Sequence, residues 1–386
     1  MDHAIRGRAP RKLIYVVVFL LSLHNAFVVY INSTFLSHFV DSRTIGLLYT
    51  IGSLLSIVLL VYSPRLQRMV SVRNFFILLT LVECIAISAF IFSENLYVVL
   101  ILFLVHVAAI PVIALMLDVF LEDANRSERF TGRERTLFNT ASAIAFVMSP
   151  FVVGILSTGG FKKIYLISLL FLIPVFFLVH TFRNPRMPVK LQSFLSTFRH
   201  IKKNRDLHSI FMPGYILQFF YAWFVIYVPL YLYSYIGFSW KEIGLMFSIM
   251  LLPFVIFEIP IGIIADTVLG EKEILITGFV ILAASVFLIP LATTKSFVLW
   301  TTLLFCTRIG ASFIEATTES YFFKHVTVRN EEVISMFRLS VPLSFIIAPL
   351  LATLGLGLFS YRYTFIILGI IVSSGVYYAS KIRDTR

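Results

Sequence analysis

A chain of 386 residues that is 59% hydrophobic and only 13% charged cannot cover itself with polar surface, since soluble domains lie near 45–50% apolar and about 25% charged. The bilayer must be the solvent for most of it. The net charge of +12 does not call for nucleic acid, because the basic residues fall in short loops between apolar runs, where they record membrane orientation.

Taken in chain order, Arg6, Arg8, Arg11 and Lys12 precede an apolar stretch over 13–36. It is longer than the apolar part of a signal peptide and no convincing small-residue cleavage site follows, so it is expected to be a retained first helix. A hydrocarbon core of roughly 30 Å needs about 20 apolar residues in helix. Runs of that kind cover 44–62, 75–92, 96–120, 137–156 and 164–182. A polar, basic stretch occupies 183–206, and six more runs follow at 210–236, 243–265, 274–293, 297–323, 333–359 and 363–379. Prolines inside these runs, such as Pro111, Pro150 and Pro349, are compatible with membrane helices, where neighbouring groups re-satisfy the freed carbonyls. The runs are continuous rather than short and alternating, which excludes a β-barrel reading.

Lys and Arg fall mainly in alternate loops, among them Arg65, Arg68 and Arg73, the group from Arg126 to Arg135, and the stretch from Arg183 to Arg205. That bias puts both termini and the central loop in the cytoplasm. An internal repeat runs through the chain: Phe138 to Pro150 aligns with Phe337 to Pro349, since 337 − 138 and 349 − 150 both give 199. The same shift carries the loop from Ser63 to Arg73 onto Gly262 to Lys272. The expected fold is an all-α membrane protein with twelve transmembrane helices in two pseudo-symmetric six-helix bundles, residues 1–182 and 207–386, joined by a cytoplasmic basic linker, 183–206.

The segment Glu258-Ile259-Pro260-Ile261-Gly262-Ile263-Ile264-Ala265-Asp266, followed by Gly270-Glu271-Lys272, resembles the loop signature of the major facilitator superfamily (MFS). The first-half copy is weaker. Gln67 stands where the acid is expected, and Ser63 and Ser71 replace the glycines. The resemblance implies that Asp266 latches the cytoplasmic side against the start of the fifth span, where Arg133 and Arg135 are available partners. Asp118, Arg126 and Arg129 resemble the acid-plus-arginine cluster that follows the fourth span in the superfamily, and Glu258 joins this gating group.

Ionisable residues inside a span are costly and are functional candidates. The superfamily architecture places spans 1, 4, 7 and 10 around a central cavity. Span 10 carries Arg308, Ser312, Glu315 and Glu319 at spacings of four, three and four, which share one helical face. Arg308 and Glu315 are about 10.5 Å apart along the axis, so direct pairing is not assured. His106 lies in span 4, His24, Asn25 and Asn32 lie in span 1, and Gln218, Tyr221 and Trp223 lie in an aromatic stretch of span 7. Glu83, in span 3, is open to three readings: pairing with His106, pairing with Arg308, or a protonated structural acid.

No P-loop, metal-ligating histidine spacing or nucleophile elbow is present, so no enzyme activity, cofactor or metal is expected. Cys84 and Cys306 lie inside apolar runs and carry no redox information. The expected function is secondary active transport of a small solute by alternating access in the inner or plasma membrane. Protons are expected as coupling ion, with Glu315, Arg308, His106 and His24 as the coupling or substrate groups. Export of small amphipathic molecules by a monomer, an antiport in which the lipid bilayer is the remaining partner, is the expected mode. A non-transporting sensor or scaffold on the same fold, or a lipid translocase, is the alternative.

Overall fold

The computed structural model describes residues 11–124, 131–157, 160–185, 205–265, 269–325 and 331–382. Its helices are α1 (Arg11–Val28), α2 (Asn32–Leu36), α3 (Ser42–Val70), α4 (Val72–Phe92), α5 (Leu96–Ala124), α6 (Thr131–Leu156) and α7 (Lys162–His180). They continue as α8 (Arg205–Tyr231), α9 (Trp240–Ile264), α10 (Glu271–Leu288), α11 (Phe297–His325), α12 (Glu331–Leu358) and α13 (Thr364–Ser380). Among the described residues ten helices are long and apolar enough to cross a membrane, and Lys12–Val28 and Ser142–Leu156 add two shorter apolar ones. The twelve account for the apolar runs of the sequence, and the chain is an all-α, multi-pass membrane protein.

One run departs from expectation. The stretch 13–36 is not a single helix, because α1 ends at Val28 and a tight turn, with Ile31 N–H donating to Val28 O at 3.1 Å, leads into α2. Asn32, Ser33 and Thr34 follow this turn, and short polar side chains of this kind compete with the helix for backbone hydrogen bonds. The break brings Asn32 beside α5 and α7.

The chain divides into two compact units, Met1–Val40 with Leu48–Lys190, and Asp41–Leu47 with Leu191–Arg386. Within the first, α4 packs on α5 and α7, and α1 packs on α5, α6 and α7. Within the second, α10 packs on α11 and α13, and α8 packs on α11, α12 and α13. The two schemes are the same scheme repeated. Helices α4 and α10 begin 199 residues apart (271 − 72), whereas α5 and α11 begin 201 apart (297 − 96), so the register drifts by two residues in the intervening loop.

The loops before α4 and α10 show why the sequence motif uses glycine. Gly270, the N-cap of α10, has φ 82 and ψ 170. Its repeat mate Ser71, the N-cap of α4, has φ 70 and ψ 155, and it is the one non-glycine residue with positive φ among the described residues. This corner of backbone space is essentially open only to glycine. The first half therefore keeps the motif's backbone turn after losing the residue that makes it easy.

Candidate functional site

Among the described residues, each unit carries a polar cluster inside its helices. In the first, α1 supplies His24, α4 supplies Glu83 and α5 supplies His106, with α2 adding Asn32 and α7 adding Tyr165 and Ser168. Glu83 and His24 are fully buried, and His106 is 4% exposed. Both imidazoles converge on the same carboxylate oxygen: His106 Nδ1 lies 2.5 Å and His24 Nε2 lies 3.2 Å from Glu83 Oε1. The outer ring nitrogens are held as well. Ser168 Oγ lies 2.7 Å from His24 Nδ1, and Asn32 Nδ2 lies 3.1 Å from His106 Nε2. Tyr165 O–H donates to Asn32 Oδ1 at 2.8 Å. Phe35, Phe90 and Phe103 wall this chain in, with ring centroids 5.0–6.1 Å from Tyr165 or His106.

From Tyr165 inward, the contacts form one chain of hydrogen bonds. The phenol donates to the Asn32 carbonyl, so the Asn32 amide donates to His106 Nε2, and His106 Nδ1–H donates to Glu83. From the other side, the Ser168 hydroxyl donates to His24 O at 3.2 Å and lies 2.7 Å from His24 Nδ1, while His24 Nε2 faces Glu83 Oε1. The second oxygen of Glu83, Oε2, is buried with no hydrogen-bond partner.

In the second unit, Arg308 of α11 is 2% exposed. Its guanidinium carbon lies 5.0 Å from the ring centres of Phe220 and Phe224 and 5.3 Å from that of Tyr221, all on α8. Cation–π contacts of this kind are worth about 0.5–2 kcal/mol each, more when desolvated. Tyr221 O–H then donates to Glu315 Oε2 at 2.7 Å. One tyrosine thus spans the gap between Arg308 and Glu315, its ring under the guanidinium and its hydroxyl on the carboxylate. Glu315 is only partly buried. Ser312, between them on the helix, turns its hydroxyl back to Ile309 O at 2.9 Å.

The remaining sequence candidates lie apart from these clusters or outside the description. Trp223 is fully buried between Phe219 and Tyr227, at 5.9 and 5.8 Å, and packs the core of α8. Gln218 is half-buried on α8 and Asn25 is half-buried on α1. Glu258 and Gly262 lie in α9, Asp118 is half-buried in α5, and Gly270 and Lys272 sit at the start of α10. Asp266, Arg126 and Arg129 lie outside the described residues. Glu83, open to three readings in the sequence, pairs with His106 and also with His24. Tyr165 and Ser168 are the site residues that the sequence did not single out, and Tyr221 stood out there only as one of the aromatics of span 7. Tyr221 carried no signal beyond its aromatic neighbourhood, and Ser168 carried none.

Residues 218–380 match the family model described as Major Facilitator Superfamily. No curated protein sequence matches the chain. Among solved structures, a mutant form of the nucleoside transporter NupG is similar with a TM-score of 0.72 at 13% identity, covering 97% of this chain and 100% of that one. A second structure of NupG gives 0.69 at 15% identity, covering 95% and 97%. At such identities the likeness is one of fold.

Proposed function

We propose that the chain is a member of the major facilitator superfamily, which residues 218–380 match, and that it is a proton-coupled secondary active transporter that moves small amphipathic solutes outward by alternating access. It acts as a monomer in the inner or plasma membrane, with both termini in the cytoplasm. Residues 1–182 and 207–386 form the two moving bundles, and Gly262, Asp266 and Gly270 belong to the gating motif.

The observation that carries the coupling assignment is the Arg308–Tyr221–Glu315 bridge. A carboxylate inside a span is expensive and is retained for a task. Glu315 is partly exposed, whereas Glu83 is sealed, so Glu315 is the carboxylate placed to exchange a proton with water. When it takes a proton it gives up the charged form that Tyr221 O–H stabilises, which links its protonation to the position of α8 against α11. The aromatic, sparsely charged surroundings of Tyr221 favour amphipathic cargo over highly hydroxylated cargo.

The test is transport by the purified full chain in proteoliposomes under an imposed pH gradient, over a solute panel that includes nucleosides because NupG is a nucleoside transporter. Gradient-driven movement of at least one solute is expected. Glu315→Gln should abolish its dependence on the gradient while leaving equilibrative exchange. A wild-type chain that moves nothing would overturn transport, and an unchanged Glu315→Gln variant would overturn only the coupling role.

A further inference from the structure

The cluster of His24, Glu83 and His106 is sealed from water, with two imidazoles turned on one buried carboxylate. A buried carboxylate costs several kcal/mol unless a cation pairs with it, and a bound metal ion would do so. We propose that it is a resident site for a first-row divalent transition metal of the Zn2+ class, coordinated by His24 Nε2, His106 Nδ1 and the Glu83 carboxylate.

Four observations support the assignment. Two imidazoles and a carboxylate form a donor set that suits such ions, and their ligand atoms all lie within 4.8 Å of one another, the one grouping of this kind among the described residues. Ligands held at about 2.0–2.2 Å from zinc in a tetrahedron sit roughly 3.3–3.5 Å apart. The His24–Glu83 separation of 3.2 Å already fits, and the 2.5 Å contact of His106 has to widen. Glu83 Oε2 is buried without a partner, so the carboxylate has an oxygen to give.

The outer partners form the third observation. Metal-bound histidines donate their other ring N–H to a second group that fixes the tautomer. Ser168 backs His24 with both its hydroxyl, at 2.7 Å, and its carbonyl, at 3.4 Å. Asn32 backs His106, and its amide can present oxygen as readily as nitrogen. Both rings can therefore shift their protons outward as the inner nitrogens take the metal. A proton would balance the same charge, but on Oε2 it would find no acceptor, and on one imidazole it would use only one of the two reversible partners.

The internal repeat supplies the fourth. Leu282 occupies in α10 the position of Glu83 in α4 (282 − 83 = 199), and it is fully buried. Thr307, ten residues past the start of α11 as His106 is past the start of α5, returns its hydroxyl to Leu304 O at 2.6 Å. The same helix pairing is thus built in the second unit without the ionisable groups. The fold does not require them, and replacing buried ionic groups by apolar ones is often neutral for stability.

The experiment uses the tag-free full chain in detergent, stripped with chelator and titrated with Co2+. The expected result is one bound cobalt per chain with visible d–d absorption bands of a four- or five-coordinate nitrogen–oxygen site, and retention of Zn2+ by elemental analysis after dialysis. Ser168→Ala, which removes an outer partner, should weaken Co2+ affinity by about 10–100-fold. Glu83→Gln should abolish the bands. If Glu83→Gln fails to fold, the paired replacement Glu83→Leu with His106→Thr, borrowed from the second unit, should keep the chain monodisperse and still lose them. A wild-type chain that binds no more Co2+ than the paired variant would overturn the proposal and leave the cluster as a proton site.

Discussion

Ser71 offers a direct measure of how the motif loop before α4 is held. Its φ of 70 and ψ of 155 lie in a region essentially restricted to glycine, where other residues carry about 1–3 kcal/mol of strain. Ser71→Gly relieves that strain. Against the gain stand the greater freedom of glycine in the unfolded chain, about 0.4–1 kcal/mol, and the loss of the serine cap, a few tenths of a kcal/mol. The cap is weak here, since Asn74 N–H reaches Ser71 Oγ at 3.4 Å. The balance is a stabilisation of about 1 kcal/mol, which for a unit of this size corresponds to roughly 2–4 °C in Tm. Gly270→Ala imposes the reverse change at φ 82 and should lower Tm by a similar amount. Both variants are compared with wild type by thermal unfolding in one detergent. A destabilising Ser71→Gly together with a neutral Gly270→Ala would show that the loop does not hold this backbone conformation.

Other expectations follow from single contacts. Tyr221→Phe keeps the ring under Arg308 but removes the hydroxyl on Glu315, so gradient-driven transport in proteoliposomes should fall while Tm stays near wild type; Tyr221→Leu should lose both, and identical behaviour of the two would refute the bridge. A methyl group added at Gly310 would lie 2.6 Å from Gly278 O and from Leu282 N, both backbone atoms, so Gly310→Ala should cost about 1–3 kcal/mol through forced separation of α10 and α11. Gly357→Ala, which meets nothing within 4 Å in α12, is the matched control and should be neutral or slightly stabilising in the same melt. Asp41 precedes α3 and accepts from Thr44 N–H at 3.1 Å and from the Thr44 hydroxyl; the hydroxyl contact foremost, opposed by burial, holds its carboxyl below the ordinary value. Its folded pKa is depressed, so its contribution is present above the ordinary carboxylate range and is lost as pH falls through the lowered pKa. Asp41→Ala should cost about 0.5–1 kcal/mol at neutral pH, and the gap to wild type should close in melts taken on the acid side of that range.

The sequence made the architecture legible because two periodic signals survive in it without any neighbour. Apolar runs of span length and the 199-residue shift are properties of the chain alone, and the twelve helices and their repeated pairing follow them. The break between α1 and α2 was hidden, since hydrophobicity continues through it and only the Asn32-Ser33-Thr34 triplet hints at it. The clusters were legible as candidates but not as constellations. Glu83 stands 59 residues from His24 and 23 from His106. Those separations have no helical periodicity, and only the packing of α1, α4 and α5 closes them. Tyr221 was masked by its aromatic neighbours until α11 placed Arg308 over its ring and Glu315 at its hydroxyl.

The repeat explains why the ionisable groups of the two units are unequal, and the inequality bears on function. A duplicated scaffold begins with the same side chains in both copies, and any position that the scaffold itself requires stays chemically alike in both. Pro150 and Pro349 meet that condition inside α6 and α12. Ser71 and Gly270 differ as residues but keep one backbone conformation, so there the geometry is what the scaffold requires. Glu83 and Leu282 share neither charge nor hydrogen bonding, although both are fully buried on equivalent helices. The burial belongs to the scaffold. The carboxylate in one copy is an addition to it, and a buried carboxylate with two imidazoles is too costly an addition to persist as packing alone. The same reasoning applies to Arg308, which follows the Thr307 counterpart of His106 by one residue and turns the second copy's polar chemistry toward α8. The first unit thus carries its sealed cluster where α4 meets α5 and α1, and the second carries a partly exposed carboxylate bridge between α8 and α11.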